Sequence, residues 1–288
     1  MSPTRILASF TLLLFCYSFL EKLSAHPAIE EQVALVNKLI DREPENASHF
    51  LKRGRLHQAH RNWEAALSDY QRAADLDPSL QITRLRFGET LLEAGRPSDA
   101  RRALDEFLKA NADHADALVL RGRVLHRLGE TAAAVADYSN AIQQSARPQP
   151  DWYLERARAA AANERNLDFA IAGLDEGIAR LGPLVTFQSM AIELELGRQS
   201  YRGALARVDD ILARLPRLPQ WLVKRAELQA QLGLFEESRA SYGAALAAID
   251  ALPASRRGTK SVLDLEQQAK HSLSALTNPI DEQHGAKE

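Results

Sequence analysis

The sequence predicts an all-α protein built from stacked helix pairs, and three ladders at one spacing carry that expectation. Gly54, Gly88 and Gly122 stand 34 residues apart, Ala66, Ala100 and Ala134 keep the same spacing, and so do Pro44 and Pro78. A fixed period of this length marks a repeat architecture, in which each unit buries its apolar face only against its neighbours. The flanks agree as well, reading Lys52-Arg53-Gly54-Arg55, Arg86-Phe87-Gly88-Glu89 and Arg121-Gly122-Arg123. With 288 residues, 45% hydrophobic and 26% charged, the chain has the material for a sizeable core. Its formal charge of −2 provides no general basic field, which argues against nucleic acid as a partner.

Taken in order, residues 1–25 read as a signal peptide. Arg5 precedes Ile6–Leu20, an uncharged, mostly apolar run of 15 residues closed by Glu21-Lys22. A bilayer-spanning helix needs roughly 18 to 20 such residues. Cleavage fits best after Ala25, giving an exported, periplasmic protein with no membrane attachment; the rival is an uncleaved N-terminal anchor. Cys16 is the only cysteine and lies inside the apolar run. Cleavage would remove it, and with it any disulfide, thiolate metal site or cysteine nucleophile. Phe15 before it is bulky where lipid-attachment signals use small residues. Residues 26–46 follow as a capping helix, with Ile29, Val33, Val36, Leu39 and Ile40 at amphipathic spacing.

The first full unit, residues 47–80, places Phe50, Gly54, His57, Ala66, Tyr70, Ala73 and Pro78 at seven motif positions, with Trp63 and Asp69 between them. In this pattern it resembles the tetratricopeptide repeat. Gly54 and Ala66 let two antiparallel helices approach, Phe50 and Tyr70 fill the space beside them, and Pro78 ends the second helix because it lacks an N–H. The pattern continues over residues 81–114 (Gly88, Ala100, Leu104) and 115–149 (Leu118, Gly122, Ala134, Tyr138, Ala141), with Gly95 and Gly129 at the turns. It loosens over 150–183, where Ala157 replaces the glycine, over 184–218 (Phe187, Ala191, Ala204) and over 219–253, where Ser238 replaces the alanine. Six repeats thus span residues 47–253. Residues 254–276 read as a C-terminal capping helix with Val262, Leu265, Ala269 and Leu273 on one side. Residues 277–288 read as a disordered tail.

The chain has no Gly-rich phosphate loop followed by Lys-Ser/Thr, no His-Glu-x-x-His and no Gly-x-Ser-x-Gly, so no enzymatic activity, cofactor or metal is expected. His57 and His60 lie three apart, but His57 occupies a packing position of the repeat, which outweighs a metal reading. Arg53, Arg121, Arg156 and Arg225 recur beside the small residue of the first helix and are expected to pack.

The resemblance implies a right-handed superhelical solenoid of about six repeats with a capping helix at each end. Its concave wall is made by the first helix of each repeat, with ligand-facing residues at fixed offsets from the small one. Three residues before it stand Leu51, Leu85, Val119, Leu154, Gln188 and Val223, an apolar line. One residue after it come Arg55, Glu89, Arg123, Arg158, Ile192 and Glu227; four to five after it come Gln58, Leu92, Glu93, His126, Arg127 and Glu195. Arg123, His126, Arg127 and Arg158 make the middle basic and suited to carboxylates, unless the arginines pair with Glu89, Glu93 and Glu155. The Lys/Asn clamp of some cytosolic relatives is not reproduced, since Leu51 and Arg55 occupy its positions, so a chaperone-tail ligand is not expected. The resemblance implies a non-catalytic scaffold or adaptor holding another protein or peptide segment, the alternative being a periplasmic assembly factor or holdase for exported clients.

Overall fold

In the computed structural model, residues 29–162 and 166–277 are described. The signal peptide read over residues 1–25, Cys16 within it, and residues 278–288 of the tail lie outside them. The described residues form fifteen helices and no strand. No helix among them is long and apolar enough to cross a membrane. The chain divides into two compact units, one ending at Gly129 and the other beginning at Glu130.

The first unit holds α1 (Ile29–Arg42), α2 (Ala47–Ala59), α3 (Trp63–Leu76), α4 (Ile82–Glu93), α5 (Pro97–Ala110) and α6 (Ala115–Arg127). Each helix packs on the next, and α4 also touches α6. Local chemistry sets the ends. Asn46 Oδ1 accepts from the Ser48 N–H (3.1 Å) at the start of α2, and Pro97 sits in the first turn of α5, where a missing N–H costs nothing. At the end of α2 the Asn62 N–H donates to the His57 carbonyl (2.8 Å) and the Arg61 N–H to that of Gln58 (2.9 Å). This is the paired closure that requires one residue in the left-handed region, and Arg61 takes it at φ 58°. The end of α4 repeats the closure with Gly95 at φ 75°.

Between α2 and α3 the small residues work as the sequence predicts. Ala66 and Ala73 are fully buried, and the ring of Tyr70, also fully buried, lies against the backbone of Gly54. Leu104 holds the same relation to Gly88 between α4 and α5. Ile29–Arg42 docks on α2 chiefly through Val36, its one buried residue. The recurring arginines behave as packing residues. Arg53 forks onto Asp69 on α3 (2.9 and 2.6 Å), and Arg121 reaches Asp105 on α5 (3.0 Å). His57 is half-buried, its Nε2 3.9 Å from Asp69.

The second unit holds α7 (Thr131–Gln144), α8 (Pro150–Ala161), α9 (Leu167–Leu181), α10 (Val185–Gly197), α11 (Tyr201–Arg214), α12 (Pro219–Gln231), α13 (Phe235–Asp250), the short α14 (Ala254–Arg257) and α15 (Lys260–Thr277). From α7 to α13 each helix again packs on its successor. In the loosest repeat the larger Arg156 is buried beside Ala157; its Nη2 donates to the Gly173 carbonyl (3.1 Å) and to Glu176 (2.6 Å). Helix α15 closes the end of the unit on α12 and α13 through Leu265, Ala269 and Leu273. Arg239 of α13 donates to the Leu276 carbonyl (2.8 Å) and fixes its far end.

Candidate functional site

In the first unit, the faces of α2 and α4 enclose a cleft of about 620 Å³. Its α2 side is Arg55, Gln58 and Ala59, continued by Arg61 in the turn and Trp63 at the start of α3; its α4 side is Arg86, Glu89 and Glu93. The packing beneath it sets the polar contacts. Burial pushes the Tyr70 hydroxyl well above the ordinary range for ionisation, so it stays neutral and donates to Gln58 Oε1 (2.6 Å). That bond fixes the amide: Gln58 Nε2 is turned across the cleft and donates to Glu93 Oε2 (3.0 Å). Arg86 Nη1 holds Glu89 Oε2 at 2.5 Å on the same helix face. Among the described residues Arg55 and Arg61 have no hydrogen-bond or ion-pair partner for their guanidinium groups. The cleft therefore carries two uncommitted cations and an indole on one side. On the other side its carboxylates are already engaged, although the neutral Gln58 amide leaves the charge of Glu93 in place.

Of the residues the sequence singles out, the cleft unites Arg55, Gln58, Glu89 and Glu93. Leu51 and Leu92 are half-buried and do not line it, and Arg123, His126 and Arg127 are exposed on α6 outside it. Leu154, Arg158, Gln188, Ile192 and Glu195 belong to the second unit, where Arg158 is exposed.

The expected apolar line is corrected. Leu85, Val119, Leu154, Gln188 and Val223 are all buried between helices, at 9%, 3%, 7%, 5% and 2% exposure. A residue three before the small one lies within about 60° of it around the helix, on the face already covered by the partner helix. Ile192 and Glu195 are buried too. Glu195 accepts from Arg198 Nε (2.8 Å) and stands 3.5 Å from Arg207, whose guanidinium also grips Asp175 (2.8 and 3.0 Å) and Gln188 (3.3 Å). That network joins α9, α10 and α11 and offers nothing to a ligand. Glu89 is held by Arg86 and Glu93 by Gln58.

Sequence reasoning passed over Arg61 and Arg86 and took Trp63 only as a motif residue. Arg61 was findable, because it stands 34 residues before Gly95 and so interrupts the turn-glycine series. Among the described residues no group of three or more His, Cys, Asp or Glu side chains is placed to hold a metal ion.

A tetratricopeptide-repeat family model matches residues 33–80 and 85–150. Residues 33–80 and 85–150 are thus matched as tetratricopeptide repeats, and beyond residue 150 the helix pairs continue where the motif weakens. Solved structures share the fold, three of them as follows. One is the C-terminal part of a repeat-containing protein from Cytophaga hutchinsonii, with TM-score 0.63, 13% identity, and 82% of this chain and 94% of that one covered. Another is PilW, a type IV pilus biogenesis factor, with TM-score 0.54, 18% identity, and 65% and 86% covered. The third is a repeat protein from Parabacteroides merdae, with TM-score 0.52, 15% identity, and 93% and 98% covered. No curated protein matches the sequence. Repeats of this family mediate protein–protein interaction as a class.

Proposed function

We propose that this chain is a non-catalytic scaffold that holds a segment of another polypeptide in the α2–α4 cleft, and that it does so outside the cytoplasm after export on residues 1–25. One observation carries the reading: the cleft combines an indole wall, an amide fixed from below and two guanidiniums without partners. Uncommitted arginines beside an aromatic surface form the kind of patch on which protein partners concentrate their binding energy. The volume suits several side chains of an extended or helical segment, and the site lies on helix faces whose geometry the underlying packing fixes.

Ala59→Arg tests it by filling the cleft. Ala59 is exposed at the end of α2 and arginine is a good helix former, so the fold should be unaffected. Captured from the envelope fraction of its host, the wild-type chain should retain a partner at fixed stoichiometry, and the variant should retain roughly a tenth or less. Capture of many unfolded clients, indifferent to Ala59→Arg, would favour a holdase instead.

A further inference from the structure

We infer that Arg61 is a ligand-contact residue held in a strained turn, and that the segment received by the cleft presents an acidic side chain to Arg61 and Arg55; the inference rests on the polypeptide-binding reading above. The same closure ends the first helix of five repeats. The residue in the left-handed region is Arg61, Gly95, Gly129, Gln199 and Gly233, at φ 58°, 75°, 80°, 59° and 74°. In each its N–H donates to the carbonyl three residues back, at 2.9, 3.1, 3.1, 2.9 and 3.0 Å. Glycine enters this conformation freely, whereas a side chain brings Cβ against the following carbonyl. Arginine at position 61 is therefore a residue the turn itself disfavours.

Beyond the backbone hydrogen bonds of the closure itself, no polar contact of the Arg61 side chain among the described residues offsets that strain. The Arg61 side chain is exposed and its guanidinium has no polar partner; its one structural role is to line the cleft beside Trp63 and Arg55. Strained residues cluster at ligand-binding sites, and what sets Arg61 apart from the equally strained Gln199 is its place in the cleft. The charges across the cleft define what the site takes. Glu89 is neutralised by Arg86, whereas Glu93 keeps its charge on the α4 side. An incoming carboxylate is thus directed to the α2 side, where two planar guanidiniums offer paired donors. Gln199 provides the internal control: it has the same backbone strain in the second unit and does not line the cleft.

The test uses short random peptides displayed on phage, selected on the full wild-type chain, with Arg61→Gly, Arg55→Gln and Gln199→Gly examined beside it. Both glycine variants should raise the melting temperature by about 2 °C or more, because each relieves one strained residue. Selected peptides should be enriched in Asp and Glu. Their affinity should fall roughly tenfold or more in Arg61→Gly and in Arg55→Gln, and stay within about twofold of wild type in Gln199→Gly. Peptides without acidic enrichment, or affinity unchanged in Arg61→Gly, would overturn the inference and leave polypeptide binding standing. Failure of the wild type to enrich any peptide would count against the binding reading itself. A fall in melting temperature in Arg61→Gly would show that the turn is not strained.

Discussion

Phe187→Ala is expected to destabilise the second unit by about 3–5 kcal/mol, the range for truncating a fully buried aromatic side chain. Phe187 has no exposed surface, and its ring meets Tyr153 edge-on with centroids 5.9 Å apart. The pair has no room to relax. A Cβ built on Gly177 would stand 3.1 Å from both rings, so α9 lies directly on them and the vacated volume would remain a cavity. Because repeat units draw stability from their neighbours, the loss should be local. Hydrogen exchange should show the amides of α8, α9 and α10 losing protection while those of α2 to α5 keep theirs. Loss of less than about 1 kcal/mol would mean that the aromatic pair is not close-packed.

Gly54→Val should act by the opposite route, overfilling the first unit at a cost of about 3 kcal/mol, the upper end of typical overpacking penalties. A Cβ at position 54 would lie 2.7 Å from Tyr70 Cε1 and 2.8 Å from Cδ1. The ring is rigid and fully buried, and its hydroxyl is tied to Gln58, so it cannot swing aside without disturbing the floor of the cleft. Gly243 sets the sign of the comparison. It sits inside α13, a Cβ there would meet nothing within 4 Å, and Gly243→Ala should stabilise by roughly 0.5–1 kcal/mol through helix propensity alone. Urea unfolding of the two variants should move in opposite directions from wild type. A neutral Gly54→Val would show that close approach of α2 and α3 is not what the glycine ladder secures.

The fold was legible because one repeat fixes the faces of all the others. Gly54 and Ala66 announce a close helix pair, Tyr70 announces what fills it, and the 34-residue period carries both forward. The repeated arginines were also legible as packing residues, since Arg53, Arg121 and Arg156 each find a carboxylate on an adjacent helix. The site was legible only in part, for a geometric reason. Turning about 100° per residue, a helix carries the position after the small residue off the face covered by the partner, and Arg55, Arg123 and Arg158 are exposed there, although Ile192 at the same position is buried. The position three before it stays on the covered face, which buries Leu85 and Val119. Offsets counted from a ladder do not show which exposed residues from different helices meet. Arg55 and Glu93 share a cleft because α2 and α4 flank it, and Tyr70 turns Gln58 across it toward α4, a consequence of packing three helices together. Arg61 escaped the ladder reading because it is the one member of its turn series in the first unit that breaks the pattern instead of keeping it.

The central claim, that the α2–α4 cleft receives a polypeptide, is met most directly by placing at Ala59 a photo-crosslinking amino acid with a short diazirine side chain, too small to fill the cleft as arginine does, and irradiating the chain in its host. A control carries the same group at Lys270, exposed on α15 and remote from the cleft in sequence. The label at position 59 should pass to one discrete polypeptide, and the adduct should disappear when Arg55→Gln is added, while the label at 270 gives no such product. Equal labelling from both positions, or an adduct at 59 that persists in Arg55→Gln, would contradict the account.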